Sequence, residues 1–425
     1  MNSGVSLSLH IPEPAWRPGD PVDFRDMKIP PAGAACRPEI DCSAEDTYDL
    51  AHGLIRVLGD DGRAVGPWAF DLEPALLLRG LRAMMLVRAF DDRMHRQQRQ
   101  GKTSFYLKCA GEEAVAVAQA LALAPDDMCF PTYRQQGVLI TRGYPLAEMM
   151  NQIYSNARDP MKGRQLPVLY SSKAHGFFTI SGNLGTQFSQ AVGWAMASAY
   201  KGDTRIAFTY IGDGSTAEGD FHQGLLFASV YRAPVLLGIV NNQWAISAFH
   251  GIAGDERATF ASRGLGYGLP SLRVDGNDFL AVFAATRWAA ERARANLGAT
   301  LIELFTYRAS AHSTSDDPTR YRPAEECERW PLGDPIERLK QHLIVSGLWS
   351  AERHAGLEAE VDEEVRKAGR EAERVGVFGA SRPSVEEMFR DVYREQPWHL
   401  RRQEEELLAE VEAQEPPAPA KAQGA

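Results

Sequence analysis

The chain has 425 residues, 44% hydrophobic and 24% charged, which is ordinary globular composition and enough for a large α/β core with appendages. Its formal net charge of −10 is spread along the sequence, which argues against a general nucleic-acid binder. No stretch reaches the length of a membrane helix: the apolar run Gly193–Tyr200 is stopped by Lys201, Gly202 and Asp203.

Residues 1–45 are rich in Pro, Gly, Asp and Ala and show no sustained period. They read as an extended arm, with Trp16, Phe24 and Ile29 available for packing, and the arm with its continuation is assigned to residues 1–73. A helical pattern begins near Pro74, with Leu77, Leu81, Met84, Met85, Val87 and Phe90 on one face. A second helix is expected around 112–123, then a loop through Phe130-Pro131-Thr132-Tyr133-Arg134, then a helix from about 145 to 155. Residues 157–185 form a long irregular segment, which in a compact domain is usually functional. The small, apolar helix 187–200 should be buried.

The central unit follows. Residues 205–211 read as a strand, Gly212-Asp213-Gly214 as a turn, 217–231 as a helix, and 235–240 as a strand buried on both faces and ended by Asn241-Asn242. This is a βαβ unit, and ligands of such sheets sit at the carboxyl ends of the strands, where Asp213 and Asn242 both fall. A strand at 272–274, a helix at 278–295 and a strand at 301–307 lead into a polar loop, 308–322. The α/β domain is assigned to 74–334, a charged helical region to 335–415 and a disordered tail to 416–425. The five cysteines contain no Cys-x-x-Cys, and the start lacks a leader pattern, so a cytoplasmic protein with reduced thiols is expected.

One carboxylate plus one amide carbonyl suits magnesium whose other ligands are phosphate and water. Gly212 and Gly214 allow close backbone approach, and a helix beginning near Thr216 offers its positive end to an anion. Gly-Asp-Gly alone is better explained by an ordinary turn. Its place in a strand–turn–helix–strand–Asn-Asn frame of about 30 residues points to a site.

Within that frame the chain resembles the α subunits of 2-oxo acid dehydrogenases, the decarboxylating first component of the pyruvate and branched-chain complexes. The motifs are Gly111-Glu112-Glu113-Ala114, Tyr133-Arg134-Gln135-Gln136-Gly137, Gly163-Arg164-Gln165-Leu166-Pro167, the run from Ile180 to Gln187, Gly212-Asp213-Gly214 with Asn241-Asn242, and His312-Ser313-Thr314-Ser315-Asp316-Asp317. The resemblance covers roughly residues 70 to 395. It implies an α/β thiamine-diphosphate-binding fold, a central mostly parallel sheet flanked by helices, with an extended N-terminal arm and a helical C-terminal region.

It also implies roles. Asp213, Asn242 and the backbone carbonyl of Trp244 would hold Mg2+. Tyr133, Arg134, Gly182, Leu184, Gly214, Ser215 and His312 would contact thiamine diphosphate, and His312 would be catalytic, binding the substrate carboxylate or moving a proton. Ser181, Asn183, Thr186 and Gln187 match a segment that surrounds K+ in branched-chain relatives; helix capping by Ser181 and Thr186 stands beside that reading. Ser313 matches a position phosphorylated in some eukaryotic relatives. Where some relatives carry an arginine that contacts phosphate, this chain has Val240, and where relatives often carry Gly-Tyr it has Gln243-Trp244. His222 reads as structural, and the role of His175 is open.

No second α/β domain is present to supply a carboxylate to the cofactor's aminopyrimidine. The resemblance places that group on a β subunit, in an assembly of two α and two β chains, with a lipoylated dihydrolipoyl transacylase as a further partner. Ser104-Phe105-Tyr106 and the Ser-Thr-Ser-Asp-Asp loop point to branched-chain 2-oxo acids, with Phe105 and Tyr106 as pocket walls. Pyruvate or acetoin dehydrogenase is the alternative, and a non-catalytic α/β scaffold subunit the alternative of another class.

Overall fold

The computed structural model describes residues 8–380 and 384–414. The tail expected at 416–425 and the first seven residues of the arm lie outside them. Five parallel strands form the central sheet: β1 (Met128–Phe130), β2 (Ala207–Gly212), β3 (Val235–Asn241), β6 (Ser271–Asp275) and β7 (Thr300–Phe305), in the order β1-β2-β3-β7-β6. A separate two-stranded hairpin, β4 (Trp244–Ala245) with β5 (Ala248–Phe249), follows β3.

Helices cover both faces because successive strand residues point in opposite directions. Phe208, Tyr210, Leu236, Val240, Ile302 and Leu304 pack with the helices Pro74–Arg99, Glu113–Ala122 and Phe279–Arg294. Ala207, Ile211, Val235, Leu237, Ile239 and Leu301 pack with Thr186–Tyr200 and Gly219–Val230. The helix 217–231 of the sequence reading begins at Gly219; Gly214–Ala217 is a 3-10 turn instead, so the helix end lies one turn away from Asp213. Strand β1 takes in Phe130, the first residue of the expected loop; its three residues before Pro131 are too few to show a period in sequence.

Both sheet edges are covered by irregular chain. Beside β1, the Cys129 amide donates to Gly176 O (2.7 Å) and the Phe178 amide to Cys129 O (2.8 Å), so part of the irregular 157–185 segment serves as an edge cover. Beside β6, Ile55 bridges Val274 in parallel fashion. Leu50, Ile55, Val57 and Trp68 are buried in the main core, so the latter part of the 1–73 extension packs as part of the α/β body.

The C-terminal charged region docks through a narrow seam. In the helix Ala351–Val375 only His354, Val361, Val365, Gly369 and Ala372 are buried. Gly369 leaves room for the Arg93 guanidinium, which an added Cβ would meet at 2.2 Å from Nε and displace. Arg93 bonds Glu373 (2.8 Å), and Arg82 bonds Glu360 (3.0 Å) and Glu364 (2.6 Å).

Asp278 joins three elements. Its Oδ1 caps the Phe279–Arg294 helix through the amides of Leu280 (3.0 Å) and Ala281 (3.1 Å). Its Oδ2 accepts from the amides of Val57 (2.8 Å) and Leu58 (2.6 Å), and Arg338 stands at 3.4 Å. Truncation strands four buried donors and a guanidinium. Asp278→Ala is expected to cost roughly 3 kcal/mol or more, seen as a lowered denaturant midpoint; a change below about 1 kcal/mol would contradict this role.

Candidate active site

The site forms because β2 and β3 pair in register, Gly212 opposite Val240, so the residues leaving both strands emerge side by side. Asp213 is almost wholly buried. Its Oδ1 accepts from the Gly214 amide (2.7 Å), while Oδ2 has no hydrogen-bond partner among the described residues. Burial raises its pKa to about 6, against the opposing effect of the Gly214 amide, His250 and Arg308. At β3, Asn242 Nδ2 donates to Glu112 Oε1 (2.7 Å), and its Oδ1 accepts from the Trp244 amide at 3.3 Å. Glu112 is itself buried, with Oε2 unpartnered among the described residues, and burial lifts its pKa to about 7 despite Arg134 nearby.

The turn from Asn242 into the hairpin is tightly specified. Gly214 is glycine because a Cβ there would lie 2.3 Å from Ala245 Cβ, a constraint from the hairpin in addition to any phosphate. Gln243 has φ +74°, a left-handed conformation rare for residues with a side chain. That backbone would suit the glycine that the family resemblance implies at this position. In this chain the Gln243 amide offsets the strain by donating to Asn241 Oδ1 (3.0 Å), Asn241 O (3.2 Å) and Thr306 O (3.2 Å).

The polar loop after β7 closes the other side. Buried Arg308 donates to the carbonyls of Trp244 and Ile246, both at 2.8 Å. The Trp244 carbonyl expected to face a metal is thus already an acceptor, with its second lone pair left over. Arg134 Nη2 donates to His312 O (2.6 Å) and approaches His312 Nδ1 (3.2 Å), which also faces Arg308 Nη1 (3.4 Å). Two guanidinium donors on Nδ1 place the ring proton on Nε2. Burial, then Arg134 and Arg308, lower the His312 pKa to about 3, so the ring is neutral at pH 7. Asp316 Oδ2 fixes the loop by accepting from the His312 amide and the Tyr321 hydroxyl, each at 2.6 Å.

Tyr133, Arg134, Leu184, Asp213, Gly214, Ser215, Asn242, Trp244 and His312 all line one cavity of about 380 Å3. Ser181, Asn183 and Gln187 line an adjoining space of about 50 Å3, with Glu112 and Val240. Arg134 is the one cationic side chain of that lining, so beside Val240 no other lysine or arginine faces this space. Gly182 is exposed just outside. The Thr186–Tyr200 helix starts at Gly185 (φ +82°) with no side-chain cap, which corrects the capping alternative for Ser181 and Thr186. Ser181 Oγ instead accepts from the Asn183 amide (3.0 Å), Thr186 Oγ1 donates to Asn183 O (3.2 Å), and Gln187 Nε2 donates to Tyr210 O (2.7 Å).

Phe105 and Tyr106 do not line either cavity. Tyr106 is fully buried because its hydroxyl donates to Asp91 (2.7 Å). Its backbone pairs with Thr314, amide to Oγ1 at 3.1 Å and carbonyl from the Thr314 amide at 3.0 Å, so it supports the His312 loop from behind. Phe105 is partly buried against the core. His222 contacts the Tyr267 hydroxyl (3.1 Å) and His175 the Ser172 hydroxyl (2.7 Å), both outside the two cavities. Glu112, Arg308 and the β4–β5 hairpin had no assigned role in the sequence. Glu112 lay in a quoted motif, and Arg308 opens the polar loop, yet nothing local marks either as facing Asn242 or Trp244.

A buried carboxylate with a free oxygen, an amide and a glycine-bounded turn at the carboxyl ends of parallel strands define a site for a hard cation and an anion. The donor set fits a magnesium-bound diphosphate: it is too poor in ligands for a metal alone, and no group of three or more His, Cys, Asp or Glu that could hold one occurs among the described residues. The family model for the dehydrogenase E1 component matches residues 81–380, and the 2-oxoisovalerate dehydrogenase E1 alpha subunit N-terminal model matches residues 5–45. The chain is 61% identical over 408 residues to the 2-oxoisovalerate dehydrogenase subunit alpha of Pseudomonas aeruginosa, covering 96% of this chain and 100% of that one. It is 40% identical to the mitochondrial subunit alpha 1 of Arabidopsis thaliana (91% of this chain, 80% of that one) and 39% identical to the mitochondrial subunit alpha of Homo sapiens (84% and 80%). The chain belongs to the dehydrogenase E1 component family, which is thiamine-diphosphate-dependent. No helix among the described residues is long and apolar enough to cross a membrane.

Two outcomes are expected. Gln243→Ala keeps the left-handed backbone but loses the amide bonds, and should weaken magnesium-dependent cofactor binding about tenfold, whereas Gln243→Gly should stay within about threefold of wild type; equilibrium titration with thiamine diphosphate compares them. Asp91 accepts from Tyr106, the Cys109 amide and Gln136, and burial raises its pKa from 3.8 to about 7. Because the folded value is the higher, this group's contribution to stability is full below pH 3.8 and lost as pH rises through about 7. Asp91→Asn should remove about 2–3 kcal/mol of the stability lost between roughly pH 5 and 8, read from denaturant midpoints at the two pH values.

Proposed function

We propose that this chain is the α subunit of a branched-chain 2-oxo acid dehydrogenase, acting on 3-methyl-2-oxobutanoate and its homologues with reductive acylation of a lipoyl group on a transacylase partner. The observation that carries the reading is the convergence of Asp213, Asn242, Arg134 and His312 on one cavity at the ends of β2 and β3. The 61% identity to a protein named for 2-oxoisovalerate supports the substrate class.

Asp213 Oδ2, Asn242 Oδ1 and the Trp244 carbonyl would hold Mg2+, and the Gly214 and Ser215 segment with Tyr133 and Arg134 would face the diphosphate. Ser181, Asn183, Thr186 and Gln187 would take K+, since each side chain offers an oxygen. Thiamine diphosphate, when bound, supplies the nucleophilic carbon and the electron sink for decarboxylation. The chain's part is to bind, orient and exclude water. The neutral His312 presents Nε2–H as a donor for a substrate oxygen, its ring held by the two arginines on Nδ1. Leu184, half exposed at the cavity mouth, is placed to buttress the bent cofactor. The carboxylate that activates the aminopyrimidine would come from the β subunit of a two-α, two-β assembly.

The purified chain alone should show no decarboxylase activity. Reconstituted with a β chain, it should turn over 3-methyl-2-oxobutanoate with a higher kcat/KM than pyruvate; the reverse order would refute the substrate assignment. In the same complex Asp213→Asn should lose at least about 100-fold in magnesium-dependent cofactor affinity while the complex still assembles, since it removes the one carboxylate of the set.

A further inference from the structure

The motif Gly111-Glu112-Glu113-Ala114 supplies none of the proposed cofactor contacts, yet its turn is fastened to the chain that leaves β7. Thr306 Oγ1 donates to Gly111 O (2.9 Å), and the Ala309 amide donates to Ala110 O (3.0 Å). The Gly111 amide donates to Glu113 Oε2 (2.9 Å), whose other oxygen accepts from Arg88 Nε (2.7 Å). Gly111 has φ +93°, and a Cβ there would lie 2.2 Å from Tyr307 O, so the close approach of the two backbones depends on glycine.

This clamp delivers the next residue, Glu112, to the end of β3. Glu112 precedes the helix Glu113–Ala122, but its side chain makes no capping bond there. It is buried and turned to the site instead: Oε1 accepts from Asn242 Nδ2 at 2.7 Å, and Arg134 Nε stands 3.9 Å from the same oxygen. An asparagine amide has two ends of similar size, an oxygen that can bind a hard cation and an NH2 that cannot. A carboxylate has no hydrogen to give, so the amide that faces it presents its NH2. Asn242 Oδ1 then points the other way, where it accepts from the Trp244 amide (3.3 Å) and keeps a lone pair.

We propose that Glu112 is a positioning residue, which fixes the Asn242 amide so that its oxygen and not its nitrogen is offered to the metal. The inference rests on the reading of Asp213 and Asn242 as a magnesium site. Without the carboxylate, the long Trp244 bond is the remaining side-chain restraint on the amide, and the amide can turn over. Glu112 and Asn242 form a matched acceptor and donor. Such a pair can be exchanged: a carboxylate at 242 facing an amide donor at 112 keeps the bond and still offers the metal an oxygen.

The test uses the full chain assembled with its β chain, in excess thiamine diphosphate, with Mn2+ in place of magnesium. Loss of the free-ion electron paramagnetic resonance signal reads Mn2+ binding without turnover. Glu112→Gln, which leaves the amide free to sit either way round, should lower Mn2+ affinity about tenfold. Asn242→Asp should also lose about tenfold although it adds negative charge, because it sets two carboxylates at hydrogen-bond distance and one must hold a proton. The double variant, Glu112→Gln with Asn242→Asp, should return to within about threefold of wild type, whereas a merely structural role predicts that the two losses add. Additive losses, Glu112→Gln within about twofold of wild type, or Asn242→Asp binding Mn2+ as tightly as wild type would overturn the proposal. Should Glu112→Gln not assemble alone, recovery of assembly and Mn2+ binding in the double variant supports the pairing, and failure of that recovery overturns it. Asp213→Asn separates the two readings. If it leaves Mn2+ affinity unchanged, the metal site is elsewhere and the proposal falls with it; if it loses affinity while Glu112→Gln does not, the role of Glu112 alone falls.

Discussion

Everything at the site depends on the pairing register of β2 and β3. With Gly212 opposite Val240, the chain leaves two adjacent parallel strands at the same level, and strands in a sheet are about 4.8 Å apart. Asp213 and Asn242 therefore emerge as neighbours although 29 positions separate them. A one-residue slip would turn every side chain of β3 to the wrong face and bury Val240 against the wrong helices. The apolar residues of β2 and β3 are divided cleanly between the two helical layers, which locks that register.

Around this junction the protein holds more buried charge than it neutralises. Glu112 and Asp213 each keep one carboxylate oxygen without a partner, while Arg134 and Arg308 are buried and committed to carbonyls and to His312. Unpaired buried carboxylates are costly, and both groups are pushed towards protonation. A divalent cation beside Asp213 would remove that cost. The arginines serve geometry: they pin the hairpin carbonyls and set the tautomer of His312.

The supports of the site come from distant parts of the chain. Tyr106, at the end of the first long helix's loop, pairs with Thr314 and steadies the His312 loop; Glu112 orients the Asn242 amide; the arm packs on Trp330 and reaches towards the Trp244 side of the hairpin. Leu184 and the Gly182 segment, by contrast, stay exposed at the mouth.

The sequence by itself determined the parallel α/β core and the strand ends that carry Asp213 and Asn242, because uninterrupted apolar strands and glycine-bounded turns leave local signatures. It also marked Tyr133, Arg134 and His312 through motifs that resembled a family. Strand β1 was too short to show a period, and the β4–β5 hairpin too small. Only the tertiary structure decided that Tyr106 is a buried support, that Gly185 starts its helix uncapped, and that Gln243 carries a left-handed backbone with its own amide as compensation. The same holds for the partnerships of Glu112 and Arg308. Each depends on which atoms from remote segments arrive within hydrogen-bond reach, and a one-dimensional pattern holds no record of that distance.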